Sequence, residues 1–148
     1  MRSFFLFCIL VSLCETTSFS ETGEDLSLNP EKYLNKTVNL KGCIDSSSPT
    51  LHTDGSGKFF EMRTYISKRI NAGSVTRNSF QSEGYVKVFV PNDKISSFVS
   101  SFKSDTPKGF SGVFKKYTPK EQGSERDHIE KQDNSFYFVD LTPKSHSW

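Results

Sequence analysis

The chain has 148 residues, of which 34% are hydrophobic and 14% aromatic, and its formal net charge at pH 7 is +2. This length suits one domain with a single compact core. So small a positive charge argues against a nucleic-acid-binding surface, which usually shows a strong basic patch.

The first twenty residues have the pattern of an export signal. Arg2 precedes an apolar run, Phe4–Leu13, and the segment ends in Ser18-Phe19-Ser20, with small residues where a signal peptidase reads. The run is much shorter than the roughly 20 residues of a membrane-spanning helix. We therefore predict a signal peptide over residues 1–20, cleavage near Ser20, and a periplasmic or extracellular mature protein with no transmembrane segment.

The predicted cleavage determines which cysteines remain in the mature protein. Cys8 and Cys14 lie in the signal, so Cys43 alone remains, and we expect neither an intramolecular disulfide nor a cysteine-based zinc site. An alternative is a lipoprotein anchored at Cys14, although Leu13 is bulky where a small residue is usual. Cys43 itself is either a reactive thiol or, as we prefer, a small half-buried packing residue.

The mature chain begins with a polar segment and a helical turn. Residues 21–29 are predicted to form a loose N-terminal arm, and the domain proper runs over residues 30–143. Asn29 is placed to cap a short helix with Pro30 in its first turn. Asn35 can take the left-handed conformation that ends this turn.

Residues 37–45, TVNLKGCID, alternate between apolar and polar side chains, which predicts a half-buried first strand. Val38, Leu40 and Ile44 would face inward. Gly42, in the middle of the strand, predicts a bulge or a sharp bend.

Two further strands are predicted from the same alternation, over residues 59–66 and 85–91. Val86, Val88 and Val90 would face inward on the later strand. The polar stretch between them, residues 67–84, is read as a long excursion that extends the two strands of this hairpin.

A helix and two more strands complete the domain. Asn92 or Asp93 caps a helix whose apolar residues recur at helical spacing: Ile95, Phe98, Val99 and Phe102. Strands follow over residues 110–119, with a bulge at Gly112, and over residues 135–143. A charged loop separates them, and residues 144–148 form a tail.

This order of three strands, one helix and two strands predicts a mainly β fold: a five-stranded Greek-key OB-fold barrel with the helix between strands 3 and 4. The opening Pro30-Glu31-Lys32-Tyr33-Leu34-Asn35-Lys36-Thr37-Val38-Asn39-Leu40-Lys41-Gly42 resembles that of the tRNA-anticodon-binding-like OB family, as found in exported bacterial domains. Asn35 stands where that family usually has Gly. The resemblance implies a fold and no particular activity.

OB-folds bind ligands on the face of strands 2 and 3. Six outward side chains on these strands are the candidate ligand-binding residues, because rings beside cations suit stacking of bases or sugars: Phe59, Arg63, Tyr65, Tyr85, Lys87 and Phe89. The alternative is that they pack beneath the chain's own loops, for example under Phe80.

These residues lead us to expect a non-enzymatic binding module of the cell envelope or exterior. Its ligand would be an oligosaccharide, a peptide or a protein, held by these residues and the 117–135 loop. The alternative function is a nucleic-acid-binding OB domain, which export and the near-neutral charge make less attractive.

A small hydrolase or nuclease ranks last, since it would need at least three of five side chains to converge: Asp54, Arg63, Asp127, His128 and Glu130. The histidines His52, His128 and His146 lack the spacing of metal ligands or catalytic groups. We therefore expect no catalytic residue, no metal and no cofactor.

Overall fold

The computed structural model describes residues 21–45, 50–51, 55–118 and 135–142. The predicted signal peptide, the Cys14 anchor, the charged loop and the tail therefore lie outside the described residues. The described part is mainly β.

Three short helices and six strands make up this part of the chain. The helices are α1 (Gly23–Leu28), α2 (Pro30–Tyr33) and α3 (Ile95–Phe102), and a 3-10 turn (Asn92–Lys94) precedes α3. The strands are β1 (Thr37–Ile44), β2 (Thr50–Leu51), β3 (Gly57–Ala72), β4 (Val75–Pro91), β5 (Lys108–Tyr117) and β6 (Phe136–Asp140).

Five of the strands form a mixed sheet that closes in a ring. Hydrogen-bonded neighbours follow the order β1-β5-β6-β4-β3, and β1 also pairs with β3, which joins the two ends. The β4–β6 pair is parallel and the other pairs are antiparallel. β2 lies outside the ring, paired with β3.

Gly42, where a bulge or a sharp bend was predicted, lies where β1 changes partners. Gly42 is paired with Lys108 of β5 and also with Thr64 of β3. A Cβ added at Gly42 would lie 2.6 Å from the carbonyl oxygen of Arg63, which no real side chain tolerates. Glycine is therefore required here, because the two backbones meet at the corner.

The core fills the ring with the side chains that the alternation placed inward. Val38 and Leu40 of β1 are buried, as are all three inward valines of β4. Phe98 and Phe102 of α3 are fully buried against them, so these predicted faces are confirmed.

Three local predictions are wrong. The segment predicted as a loose arm contains α1, whose Thr22 cap and Asp25 form a reciprocal capping box. Gly112 makes no bulge; it pairs regularly with Val38, and its missing Cβ leaves room for the carbonyl oxygen of Asp140. Neither Asn92 nor Asp93 caps α3, whose N-cap is Lys94; the Asn92 amide instead donates to the carbonyl oxygen of Gly55 at 2.7 Å.

The hairpin of β3 and β4 is much longer than the two strands predicted for its core part. This agrees with the prediction that residues 67–84 extend both strands. Pairing continues from Tyr65–Ser82 to Ala72–Val75. We call residues 65–82 the hairpin arm. It begins at a bulge, where Glu83 and Gly84 together lie opposite Thr64 and Gly84 takes a φ of +79°.

Candidate functional site

A groove opens where β4 and β6 separate. These parallel strands are paired at Val88–Val139 and Phe89–Asp140, and the earlier residues of the two strands are not paired with each other. α1 lies against β4 at this end of the sheet. The resulting groove has a volume of about 280 Å³.

Aromatic rings form much of the groove's wall. Tyr85 of β4 is 47% exposed, which is high for so large a ring. Phe136 and Tyr137 of β6 line the groove with it. The Tyr137 ring stacks on the ring of Phe114, with ring centroids 5.6 Å apart and an interplanar angle of 7°.

One acid and one base bring charge to the groove. Glu61 and Lys87 are cross-strand partners on β3 and β4, and both line the groove. The Lys87 ammonium lies over the ring of Phe136, 4.5 Å from its centroid. The groove therefore offers ring surfaces and hydrogen-bonding groups with little net charge.

Thr64 attaches α1 to the sheet beside the groove. Its hydroxyl is fully buried, accepts from the Gly23 N–H at 2.7 Å and donates to the carbonyl oxygen of Glu83 at 2.6 Å. A Cβ on Gly23 would lie 2.6 Å from the carbonyl oxygen of Tyr85, so helix and strand are in close backbone contact. Leu26 then closes one side of the groove.

A carboxyl pair lies at the same junction. Glu24 follows Gly23 in α1, and Gly84 packs against the backbone of Glu24. A hydrogen bond and the like charge of Glu83 raise the pKa of Glu24 above its ordinary value.

The six candidate residues, predicted on strands 2 and 3, lie on β3 and β4 of the structure. Two of them, Tyr85 and Lys87, line the groove. Arg63 lies next to them: its guanidinium stacks over the Tyr85 ring at 5.4 Å and pairs with Asp45 at 2.6 Å. The Asp45 carboxylate raises the pKa of Arg63, which stays a cation.

Phe59 and Phe89 do not contribute an exposed surface. They are only 6% and 7% exposed, because they pack with Phe138, Tyr117 and Phe136 in a second apolar cluster. The expectation that both rings face solvent is therefore wrong. Period-two alternation separates the two faces of a strand but does not show which outer rings meet across neighbouring strands.

Tyr65 and Cys43 contact each other beside Arg63. The Cys43 thiol donates to the Tyr65 hydroxyl with the heavy atoms 3.7 Å apart, and both residues are half-buried. Burial, followed by the contact with Cys43, raises the pKa of Tyr65. The placement agrees with a packing role for Cys43.

Phe80 does not cover the groove. It lies opposite Ser67 on the hairpin arm, beneath the Lys41 ammonium at 5.1 Å, while Tyr85 remains exposed. Phe80 is therefore an exposed ring outside the groove.

Sequence reasoning missed the α1 wall and the two β6 rings. The spacing of Thr22 and Asp25 matches a capping box and could have revealed α1. Nothing local in the sequence indicates that Phe136 and Tyr137 lie beside Tyr85, because this depends on where two distant strands separate.

Of the residues proposed for a hydrolase, Asp54, Asp127, His128 and Glu130 lie outside the described residues. His52, His146 and most of the 117–135 loop lie outside them as well. Within the described ranges, no group of three or more His, Cys, Asp or Glu side chains could hold a metal ion. No helix in the same ranges is long and apolar enough to cross a membrane.

Comparison of the chain with protein-family models, with curated proteins and with solved structures finds no match.

Proposed function

We propose that the protein is an OB-fold binding module that holds a neutral oligosaccharide in the groove between α1, β4 and β6. The observation that carries the proposal is the exposed Tyr85 ring in a groove of about 280 Å³ that also presents Glu61 and Lys87. Sugars bind rings through their apolar faces, and their hydroxyls hydrogen-bond to acids and bases.

The OB assignment is supported by strand order. A Greek-key OB barrel has strands 1, 2, 3, 5 and 4 as successive neighbours, and its helix lies between strands 3 and 4. With β2 set aside, β1, β3, β4, β6 and β5 follow each other in that order, and α3 lies between β4 and β5 in the chain. The groove then lies beside the strand 2–3 face that OB-folds use.

The size and charge of the groove favour a small uncharged ligand. Its volume is close to the lower end of the roughly 300–1,000 Å³ usual for small-molecule sites. Glu61 and Lys87 offset each other, so the groove does not select for a charged ligand. A peptide or a protein loop is the other ligand that we would test against this groove.

The proposal includes export, with the module acting in the cell envelope or outside the cell. It rests on the predicted signal peptide over residues 1–20. Amino-terminal sequencing of the protein from its source would find Glu21 as the first residue if cleavage follows Ser20, and an acylated Cys14 if the lipoprotein alternative holds.

One observation favours the nucleic-acid alternative. Three cations lie over rings on or beside the strand 2–3 face, as in Lys87–Phe136, Arg63–Tyr85 and Lys41–Phe80. Such pairs resemble the stacking platforms that bind single strands. However, Arg63 is already paired with Asp45 and the net charge is only +2.

The test is binding to an array of immobilised neutral oligosaccharides, with the Tyr85→Ala variant and a Phe80→Ala control. Removing the Tyr85 ring should weaken binding at least about tenfold, a loss of about 1.4 kcal/mol. The control removes another exposed ring, which lies outside the groove, and this variant should bind as the wild type does.

Equal binding by wild type and Tyr85→Ala would refute the groove as the site. Tyr85-dependent binding to a single-stranded oligonucleotide, strongest at low salt, would instead establish the nucleic-acid alternative. Tyr85-dependent binding to peptides but not to glycans would correct the ligand class.

A further inference from the structure

The hairpin arm is the most uniformly charged surface among the described residues. Residues 65–82 contain Lys68, Arg69 and Arg77 but neither Asp nor Glu. All three cations are exposed. Eight residues of each strand at about 3.3 Å apiece make the arm roughly 26 Å long.

The two faces of the arm combine cations with exposed apolar side chains. On one face Ile70 lies opposite Arg77, with Lys68 on the next rung of the same face. Ile70 is 50% exposed. On the other face Arg69 lies near Phe80, which is also exposed and is flanked by Lys41.

Protection of open strand edges explains only part of this pattern. Both strands of the arm extend beyond their pairing with β1 and β6, which leaves their outer edges open. Natural proteins commonly place Lys or Arg on such open edges to prevent aggregation. That requirement accounts for the cations. It does not account for an exposed Ile70 and Phe80, which would favour aggregation.

The order of side chains along the arm fits the interface of a charged bilayer. Ile70 is nearer to the Gly73-Ser74 turn than Lys68 and Arg69 are. An arm that entered a membrane surface turn-first would bury Ile70 at the edge of the hydrocarbon. Lys68 and Arg69 would then lie among the phosphates, where cations are stabilised. Arg77 lies opposite Ile70 at the same depth, and its long side chain would extend outward to the same phosphates.

We propose that the hairpin arm docks the protein on an anionic lipid surface. A nucleic acid would also attract the cations, but it offers an aliphatic side chain such as Ile70 little to contact. The arm and the groove are separate surfaces on the same hairpin, so this proposal does not depend on the oligosaccharide.

The test is co-sedimentation of the full chain with vesicles of phosphatidylcholine alone and of phosphatidylcholine with about 30% phosphatidylglycerol. The uncharged Phe4–Leu13 run is common to all variants and should partition into both kinds of vesicle. The ratio of the two partition coefficients therefore reports the charged docking surface.

The Lys68→Gln/Arg77→Gln variant should lower this ratio by roughly 30-fold, the effect expected for two cations at an anionic surface. Ile70→Ser should weaken partition into the anionic vesicles several-fold without any change of charge. A Lys103→Gln/Lys108→Gln control loses the same charge from exposed positions outside the arm and should keep most of the wild-type ratio.

All the substituted side chains are exposed, and thermal melts would verify that each variant folds. The proposal is overturned if the arm and control variants lower the ratio equally, or if wild type shows no preference for anionic vesicles. It is also overturned if duplex DNA binds more tightly than the vesicles do and in an arm-dependent way. Tyr85→Ala should leave the ratio unchanged, so a failure here is separate from a failure of the groove.

Discussion

Thr64 is the residue on which the geometry of the groove depends most. It is a fully buried polar side chain inside an otherwise apolar face of β3, and its hydroxyl bonds to backbone groups beside the groove: the Gly23 N–H and the carbonyl oxygens of Glu83 and Gly84. The hydroxyl therefore satisfies backbone groups that would otherwise be buried without partners.

Thr64→Val keeps the shape of the side chain and removes the hydrogen bonds of its hydroxyl. The variant should lose about 1–3 kcal/mol of unfolding free energy, because the Gly23 N–H and the Glu83 carbonyl are left unsatisfied. Urea unfolding measures the loss. Thr106→Val, at an exposed position after α3, is the control and should change stability by less than about 0.5 kcal/mol. An equally stable Thr64→Val variant would show that α1 does not depend on this contact.

At the residue scale the sequence predicted positions better than roles. The inward valines of β4 and the left-handed Asn35, with a φ of 61°, follow from alternation and from the conformational range of asparagine. Nothing in the sequence indicated the role of Thr64, because its hydrogen-bond partners become neighbours only after the bulge and α1 have formed.

At the scale of elements, the groove results from the junction of α1 with the start of the core part of β4. Glu24 and Glu83 repel each other across this junction when both are ionised. A carboxyl group whose pKa is raised by folding binds its proton more tightly in the folded state than in the unfolded chain. The contribution of Glu24 to stability is therefore greatest below the ordinary pKa of 4.5 and decreases as the pH rises through the folded pKa.

Glu24→Gln should remove this repulsion. We expect the variant to melt at a higher temperature than wild type at pH 7, with the difference disappearing at pH values below about 4. Melting curves over this pH range measure it, and Asp105→Asn, an exposed carboxylate beyond α3, is the matched control. A difference that persists at low pH would mean that the charge of Glu24 is not the cause.

Prediction of the elements was most reliable where a strand has one buried face. Alternation located β1 and the core parts of β3 and β4, and helical spacing located α3. α1 was missed because six residues with a single buried leucine show no helical periodicity. The buried position of Phe59 and Phe89 could not be derived from their own strands, since the rings that cover them come from β5 and β6.

At the scale of the whole molecule, the closed ring leaves two distinct surfaces on one long hairpin. Near the ring, Tyr85 and Lys87 line the nearly uncharged groove. Beyond the bulge, the arm carries three cations and no acid. The net charge of +2 does not reveal this separation, because it sums over both surfaces.

The central claim is that the groove between α1, β4 and β6 is the ligand site. The most direct measurement is the change in backbone amide chemical shifts when the protein is titrated with the oligosaccharide that binds most tightly on the array. If the ligand occupies the groove, the largest changes will be at Ser27, at Val86 and Lys87 of β4, and at Phe136 and Tyr137 of β6. Changes confined to the hairpin arm, or spread evenly over the ring, would contradict the claim.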